Sequence, residues 1–380
     1  LCCRYKGALC VAYIDDVEGK KKTNLPTEWS RSRICEVAEK IESSKRTCSL
    51  SSKGWTRRVE YPAPSNRSME RESPDFKEEQ ARKSKRRNKR EPSARRAWLK
   101  KIIGGCLALV GGASYLRFES SWLETTFKTI ALPTFPKDRK IRILHLSDLH
   151  LSSTVSIEDI DFALQKGLEK KPDLMMITGD FITDELTSEA SRKFTDCLLK
   201  YTRQVRTFAC LGNHDGGAWM KKRGGYESPE RVRAMLHSAN VKLLENSSQK
   251  ISLPGQTLIL SGVGDYWSEA CQPKLCLRPL PTKPPTSRET TILLCHNPDA
   301  KELLKGYQWD LMLSGHTHGG QFKIPFLDYA PFAPVMDRSM TEGLHDWEGR
   351  RIHITRGVGN VYGIRLNCRP EISLLELVST

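Results

Sequence analysis

Five short motifs place groups that can bind metal ions directly after apolar runs. The first motif is Asp148 and His150, which follow the apolar run at 141–147. Alternate side chains of an extended chain point the same way, so both groups could reach one point beyond a strand end. A carboxylate oxygen and an imidazole nitrogen that converge on one point are suited to a divalent metal ion. Taken alone, the pair is weak evidence, because many such pairs are ordinary turn or surface residues.

The other four motifs repeat this arrangement, with a carboxylate, an amide or an imidazole just past an apolar run. They are Gly179-Asp180, Gly212-Asn213-His214-Asp215, His296-Asn297 and Gly315-His316-Thr317-His318. Each has a structural alternative, such as a turn, a helix cap or a buried histidine. Five of the nine histidines nevertheless lie in these motifs, and such a concentration is not expected if the motifs are unrelated turns. Because α/β sheets build their sites beyond the carboxyl ends of strands, we expect one metal site.

Short apolar runs alternate with amphipathic segments from residue 137 onward. The predicted strands lie near 141–147, 173–178, 206–211, 257–263, 291–295, 309–313, 351–355 and 371–378. The predicted helices lie near 157–170, 187–202, 229–239 and 298–305. Alternation of this kind is typical of a layered α/β domain. His145 has an odd spacing from Asp148, so we expect it to pack on the opposite face of the strand.

The positive charge of the chain is concentrated near its start. The first 101 residues contain 27 Lys and Arg against 14 Asp and Glu, a net of +13 out of +16. The rest therefore has a net charge of only about +3, and the high pI does not indicate a nucleic-acid-binding domain. Five of the twelve cysteines lie in the first 48 residues and no Cys-x-x-Cys pair occurs. Neither a zinc ribbon nor a disulfide-stapled domain is expected.

Residues 1–92 are predicted to form a disordered basic region, since they lack sustained apolar periodicity. The basic run at 82–90 is either a solvated tail or a segment attracted to anionic lipid head groups. The chain begins with Leu, and one hypothesis places the start at Met69.

Residues 93–120 have the layout of a targeting or anchoring segment. Arg95, Arg96 and Trp98 precede a weakly apolar stretch at 102–116, which is shorter than the roughly 20 residues of a spanning helix. A basic start followed by a short apolar stretch resembles a twin-arginine export signal. No Ala-x-Ala cleavage site follows, so a membrane anchor, a removed signal and a buried core helix are alternatives. A catalytic domain is expected at 138–380.

The order of the five motifs resembles that of the calcineurin-like metallophosphoesterases. The resemblance extends from residue 141 to the end of the chain and is closest to the YaeI/YkuE/LpxG-type branch. It rests on the strings His145-Leu-Ser-Asp-Leu-His150, His296-Asn-Pro-Asp299, Asp310–Gln321 and Thr355–Asn360. It implies a four-layer α/β/β/α sandwich with a dinuclear metal site at the strand ends.

The resemblance also implies a role for each motif residue. One metal ion would be held by Asp148, His150 and His318, the other by Asn213, His296 and His316, and Asp180 would bridge them. Mixed Asp, His and Asn ligation suits Mn, Fe or Zn, with Mn favoured. Two such ions would activate water and neutralise charge on the phosphoryl oxygens. His214 would protonate the leaving group or stabilise the transition state, and Asp215 would orient His214.

Two further segments are candidates for the walls of the substrate pocket. The glycine-rich stretch 357–363, with Arg356 and Arg365, would either cradle a phosphate or form a tight turn. The segment Gly264-Asp-Tyr-Trp267 and the proline-rich stretch 271–287 would either form an apolar lip or be ordinary surface.

The resemblance implies a membrane-associated hydrolase of a phosphodiester or pyrophosphate, with UDP-2,3-diacylglucosamine of lipid A synthesis as the first candidate substrate. The alternatives are a general phosphodiesterase and a non-catalytic scaffold, and the complete set of motif residues disfavours the scaffold. No nucleic-acid partner is expected. The expected location is the bacterial inner membrane. Its side stays open, because export would separate the enzyme from cytoplasmic UDP-linked substrates.

Overall fold

The computed structural model describes residues 74–88, 91–281, 289–327 and 329–380. The hypothesis of a start at Met69, the predicted disorder of residues 1–73 and the end of the proline-rich stretch lie outside these residues. Residues 74–88 form a helix whose described side chains are exposed, where the sequence pattern predicted disorder. The chain divides into two units, Leu1–Arg82 and Lys83–Thr380.

Seven α-helices and twelve strands are present in the described residues. The helices are α1 (Pro74–Asn88), α2 (Glu91–Ser121), α3 (Ile157–Leu168), α4 (Ser188–Thr202), α5 (Ala218–Lys221), α6 (Glu230–Ser238) and α7 (Lys301–Leu304). The strands are β1 (Glu124–Leu132), β2 (Ile141–Leu146), β3 (Leu174–Thr178), β4 (Arg206–Cys210), β5 (Lys242–Leu243), β6 (Ser247–Leu253), β7 (Gln256–Gly262), β8 (Thr290–Leu294), β9 (Leu311–Ser314), β10 (Gly343–Trp347), β11 (Arg350–Ile354) and β12 (Glu371–Ser379).

The strands form two six-stranded sheets. The first has the order β1-β12-β2-β3-β4-β5 and the second the order β10-β11-β9-β8-β7-β6. β2, β3 and β4 run parallel to one another, as do β7, β8, β9 and β11. Parallel strands are covered on both faces, which is why their sequences read as continuous apolar runs.

Three apolar clusters separate four layers. Residues of both sheets, including Ile143, Phe208, Leu260 and Leu311, fill the space between the sheets. The outer face of the first sheet packs on α3, α4 and α6, and the outer face of the second packs on residues that include Leu304 of α7. The predicted four-layer α/β/β/α fold is therefore confirmed.

The predicted elements match the structure except at the edges of the sheets. The eight predicted strands correspond to β2, β3, β4, β7, β8, β9, β11 and β12. The four strands that were not predicted, β1, β5, β6 and β10, are the four edge strands. Edge strands are exposed along one side, so they lack the continuous apolar run that marks a central strand.

The sheet domain begins earlier than predicted. β1 pairs in parallel with β12 over its whole length, from Glu124 with Glu371 to Leu132 with Ser379. The predicted start at residue 138 is therefore too late, because it excludes a strand of the first sheet. The pattern of β1 is weak, since its middle residues are exposed.

Helix α2 is longer than its apolar stretch. Arg95–Ser121 is long and apolar enough to cross a membrane by length and composition alone, a property that signal sequences and core helices share. Its large apolar side chains, such as Leu107 and Leu109, are exposed. Its last turn contacts the sheet domain: Ser120 donates to the Gly363 carbonyl at 3.0 Å, and buried Glu119 accepts from the Cys368 amide.

Two buried histidines link the sheets. Nδ1 of His145 on β2 lies 2.9 Å from Nδ1 of His353 on β11, and Nε2 of His145 lies 3.0 Å from the Thr178 hydroxyl. His145 thus faces the second sheet. Asp148 also points there, since its carboxylate accepts from the His316 amide. The expectation of opposite faces is wrong, because β2 ends at Leu146 and strand alternation ends with it.

Acid should weaken the fold through this histidine pair. Burial lowers the pKa of His353 to about 4. Between this value and the ordinary histidine pKa of about 6.5, His353 is protonated in the unfolded chain but not in the folded protein. The stability present above about pH 6.5 is then lost toward pH 4. Between about pH 7 and pH 5, we expect wild type to lose about 2 kcal/mol more unfolding free energy than His353→Gln, measured by urea denaturation. His237→Gln, at an exposed site on α6, should behave as wild type; equal losses in all three proteins would contradict the prediction.

Candidate metal centre

The candidate ligands meet where the carboxyl ends of the two sheets adjoin. Asp148 and His150 follow β2, Asp180 follows β3 and Asn213 follows β4. From the second sheet, His296 follows β8, while His316 and His318 follow β9. All seven are at most 6% exposed. The sequence motifs therefore converge in space.

Two groups of potential ligands lie side by side. One consists of Asp148, His150 and His318, and the other of Asp180, His296 and His316; within each group the potential ligand atoms lie within 4.8 Å of one another. The first group has the three residues of one implied set, and the second has two residues of the other set, His296 and His316, together with Asp180. A third group, His150, Asp180 and His214, overlaps both.

Asp180 belongs to the second group and also contacts His150 of the first. One of its oxygens, Oδ2, is 3.5 Å from Nε2 of His150 and 3.2 Å from Nε2 of His296. The other oxygen, Oδ1, accepts a hydrogen bond from the His214 amide at 2.8 Å. A carboxylate in this position can bind a cation on each side.

Asn213 supplies an unpartnered acceptor. Its side-chain oxygen is buried and has no hydrogen-bond partner among the described residues. Leaving a buried carbonyl oxygen unpaired is costly, so such an atom indicates a missing ligand. Together with two carboxylates and four imidazoles, this amide completes a donor set of the kind that binds first-row divalent ions. The residues present therefore fit a pair of divalent metal ions.

Left-handed backbone, and not extended alternation, brings these side chains together. Five of the seven have positive φ: Asp148 (52°), His150 (49°), Asp180 (53°), His316 (69°) and His318 (52°). Residues other than glycine rarely adopt this backbone conformation, and each one that does destabilises the fold by about 1–3 kcal/mol. The sequence argument assumed alternate positions of an extended strand for Asp148 and His150; the structure brings them into one group of potential ligands through left-handed backbone instead.

Close backbone approach explains a glycine beside Asp180. Gly179 has a φ of 85°, and a Cβ there would lie 2.5 Å from the Gly212 amide nitrogen. The strand ends of β3 and β4 can therefore approach only because Gly179 has no side chain. This contact sets the distance between Asp180 and Asn213.

Three of the four imidazoles in these two groups have an oxygen as hydrogen-bond partner on the nitrogen that faces away from the group. Nδ1 of His150 lies 3.0 Å from the Thr183 hydroxyl, and Nδ1 of His296 lies 2.6 Å from the Thr178 carbonyl. His316 is reversed, with Nε2 3.2 Å from the Pro334 carbonyl. A carbonyl partner fixes a proton on the outer nitrogen, so the inner nitrogen is the one that can bind a metal ion.

The electrostatics of the protein groups favour a cation at this point. Burial lowers the pKa of His150 and of His316 to about 3, so both rings are neutral. Burial raises the pKa of Asp148 to about 6. At His296, burial lowers the pKa, but the carboxylates of Asp180, Asp148 and Asp265 together outweigh it and raise the pKa to about 10. His296 therefore holds a proton against Asp180, which a metal ion would replace.

His214 lies beside the cluster, but Asp215 does not orient it. Nδ1 of His214 lies 3.1 Å from the Thr183 carbonyl, which leaves Nε2 as the free ring nitrogen. The buried Asp215 carboxylate instead accepts from the amides of Phe181, Asp180 and Gly212 at 2.7–2.9 Å. The predicted orienting role therefore falls to Thr183, while Asp215 ties the ends of β3 and β4 together.

The glycine-rich stretch supports the ligand loop and does not cradle a phosphate. The amides of Val358 and Gly359 donate to the carbonyls of Ser147 and Asp148. Arg356 is paired with Glu371 and Glu124 at 2.9 and 2.8 Å. The expected anion donors are thus already used inside the protein.

Arg365 is fully buried and clamps the backbone of this region. Its guanidinium donates to the carbonyls of His318, Cys368, Arg356, Gly357 and Gly359. It therefore holds the loop that contains His318 against the glycine-rich stretch. Spacing along the sequence gives no signal for such a contact.

A cavity of about 530 Å³ opens beside the cluster and is walled by aromatic groups. Trp267 packs edge-on against His316, with 4.2 Å between ring centroids, and stacks on Trp219. The guanidinium of Arg223 lies 3.7 Å over Trp219. The predicted role of Trp267 in a lip fits its position, but the described proline-rich residues line a different cavity. Trp219 and Arg223 were missed, because neither belongs to a chemical motif.

Comparison with known proteins agrees with this geometry. The profile of the calcineurin-like phosphoesterase family matches residues 141–320. The chain is 39% identical to "Phosphodiesterase YaeI" of Escherichia coli, covering 72% of this chain and 95% of the relative. It is 31% identical to "Uncharacterized metallophosphoesterase YkuE" of Bacillus subtilis, covering 76% and 98%. It is 27% identical to "UDP-2,3-diacylglucosamine pyrophosphatase LpxG" of Chlamydia muridarum, covering 62% and 83%.

Replacing Arg365 should loosen the metal centre. A lysine has one compact ammonium group and cannot span the five carbonyls, so His318 would lose its support. For Arg365→Lys we expect metal affinity to fall by about 10–100-fold, measured by competition with a fluorescent chelator. Arg351→Lys, on β11, is the control. Unchanged affinity in a folded Arg365→Lys protein would contradict the positioning role.

Proposed function

The chain belongs to the calcineurin-like phosphoesterase family and is a hydrolase, and we propose that it cleaves a phosphodiester or pyrophosphate at a membrane. The observation that supports this most directly is the pair of ligand groups, with Asp180 of the second in contact with His150 of the first. Asp148, His150 and His318 would hold one divalent ion, Asn213, His296 and His316 the other, and Asp180 both. Bound there, two ions supply an activated water and neutralise charge on the phosphoryl oxygens.

The protein groups around the ions have separate tasks in this proposal. His214 presents Nε2 toward the cavity, because its Nδ1 faces the Thr183 carbonyl. In its protonated form it would donate that proton to the departing oxygen or stabilise the charge that develops there. Asp215 would keep Asp180 and Asn213 at their separation through its three amide contacts.

The cavity favours a substrate with both apolar and anionic parts. Trp219, Trp267, Phe332 and Tyr362 offer apolar and stacking surface, and Arg223 offers a cation at the same opening. UDP-2,3-diacylglucosamine has acyl chains, a nucleotide and a pyrophosphate, and is our first candidate. The relative LpxG is named for that substrate. A general phosphodiesterase is the second candidate, favoured by the higher identity to YaeI.

Membrane association is proposed for α2. Arg95–Ser121 would act as an uncleaved anchor, with the basic residues at 82–90 attracted to anionic head groups. The contacts of Ser120 and Glu119 with the sheet domain support an uncleaved helix, because removal would break them. The hydrolase domain would then begin at Glu124. Manganese is the proposed metal, with iron and zinc as alternatives.

Hydrolysis of UDP-2,3-diacylglucosamine by the Mn-loaded full chain tests the substrate. We expect release of UMP, detected by chromatography, and slower release in His214→Ala. Cleavage of bis(p-nitrophenyl) phosphate without release of UMP would favour the general phosphodiesterase. No turnover of either substrate by protein that contains two metal ions would contradict the proposed function.

The leaving group should determine how much His214 contributes. An alkyl leaving group needs a proton more than p-nitrophenolate does, so His214→Ala should slow alkyl diesters by about 10²–10⁴-fold and the p-nitrophenyl diester much less. The measurement is kcat for both diesters, with metal content checked. His237→Ala is the control on a distant histidine. Equal losses for both diesters would assign His214 to charge stabilisation.

A further inference from the structure

We propose that an apolar lip beside the metal centre lies in the surface of a lipid bilayer, so that an acyl-bearing phosphoester enters the cavity directly from the membrane. This lip is distinct from the segment Gly264-Asp-Tyr-Trp267 considered above. It consists of Ile324, Phe326, Leu327, Phe332, Met336 and Tyr362. This inference deepens the proposed function and rests on the membrane association proposed there.

The side chains of the lip are large, apolar and exposed. Phe326 is fully exposed, and Leu327, Phe332, Met336 and Tyr362 are each 68–73% exposed. Phe332 and Tyr362 also line the cavity itself. Soluble proteins rarely expose such a group of large apolar side chains without a binding function.

Phe326, at the tip of the lip, does not pack against other described residues of the chain. Ile324 and Tyr329 are bridged, and Phe326 lies in the turn between them with a φ of 69°. An aromatic residue in the left-handed region is strained, and this one gains no burial in return. A surface outside the chain that covers Phe326 would offset that cost.

The end of helix α2 indicates that this surface is lipid. Arg117 and Ser120 both donate to the carbonyl of Gly363, the residue after Tyr362. The anchor therefore leaves the domain next to the lip. Phe118 and Trp122 are exposed there, and aromatic residues of this kind concentrate at membrane interfaces.

The cavity is also lined by a basic residue. Arg223 lines it and covers Trp219, and Lys222, next to Arg223 in the chain, is exposed. Cations near a bilayer surface are attracted to anionic head groups. The cavity thus combines apolar groups with a cation, a combination that suits a lipid surface. A substrate with acyl chains would reach the metal centre without exposing those chains to water.

The position of the lip can be read from a fluorophore. The full chain, with Cys106, Cys271, Cys276 and the cysteines of the first 48 residues replaced by serine, is labelled with nitrobenzoxadiazole at Phe326→Cys, Leu107→Cys or Lys171→Cys. Leu107 reports on α2, and Lys171, in the loop before β3, lies at the end of that strand away from the site. Each protein is reconstituted in phosphatidylcholine vesicles with a minority of phosphatidylglycerol, with or without doxyl-labelled lipid.

We expect doxyl lipid to reduce emission from positions 107 and 326 by about twofold or more, and to leave position 171 unchanged. Quenching at 107 without quenching at 326 would overturn the lip proposal while the anchor stands. A spectral shift at 326 without quenching would assign the lip to a second copy of the chain and also overturn it. Absence of quenching at 107 would overturn the proposed anchor and the lip with it. Hydrolysis of bis(p-nitrophenyl) phosphate by each labelled protein reports on the catalytic proposal separately.

Discussion

The structure depends on one buried carboxylate that needs positive charge on both sides. Asp180 lies at the end of the first sheet, against His150 of the same sheet and His296 of the second. A charge buried so deeply is tolerable only if it is paired. Both sheets must therefore end at the same place, and the packed side chains between them hold them there. The four-layer fold and the metal chemistry are in this sense consequences of the same constraint.

The sequence predicted the centre of the molecule better than its periphery. Central strands such as β3 and β8 are buried on both faces, so their composition alone identifies them. Edge strands such as β1 are partly exposed, so their residues need not be apolar throughout. Their sequences therefore do not distinguish a strand from a loop. The ligand motifs were predictable for a related reason, since each directly follows a central strand.

What could not be predicted were contacts between residues far apart in the chain. Arg365 was a candidate for phosphate binding, yet its guanidinium is used by backbone carbonyls of its own loops. Asp215 was a candidate partner of His214, yet it binds amides of a neighbouring strand end. Residue type and spacing show which groups are capable of chemistry. They do not show which groups the fold has already used.

The left-handed backbone of the candidate ligands has a consequence for the evolution of the protein. Glycine or asparagine at Asp148, His150 or His316 would relieve strain while removing a candidate ligand. Inactive sequences should therefore be easier to fold than active ones. Selection for thermal resistance alone would drift toward inactive proteins, and only selection on turnover would retain the histidines. Stabilised variants should be sought away from the strand ends, for example on the exposed faces of α3 and α4.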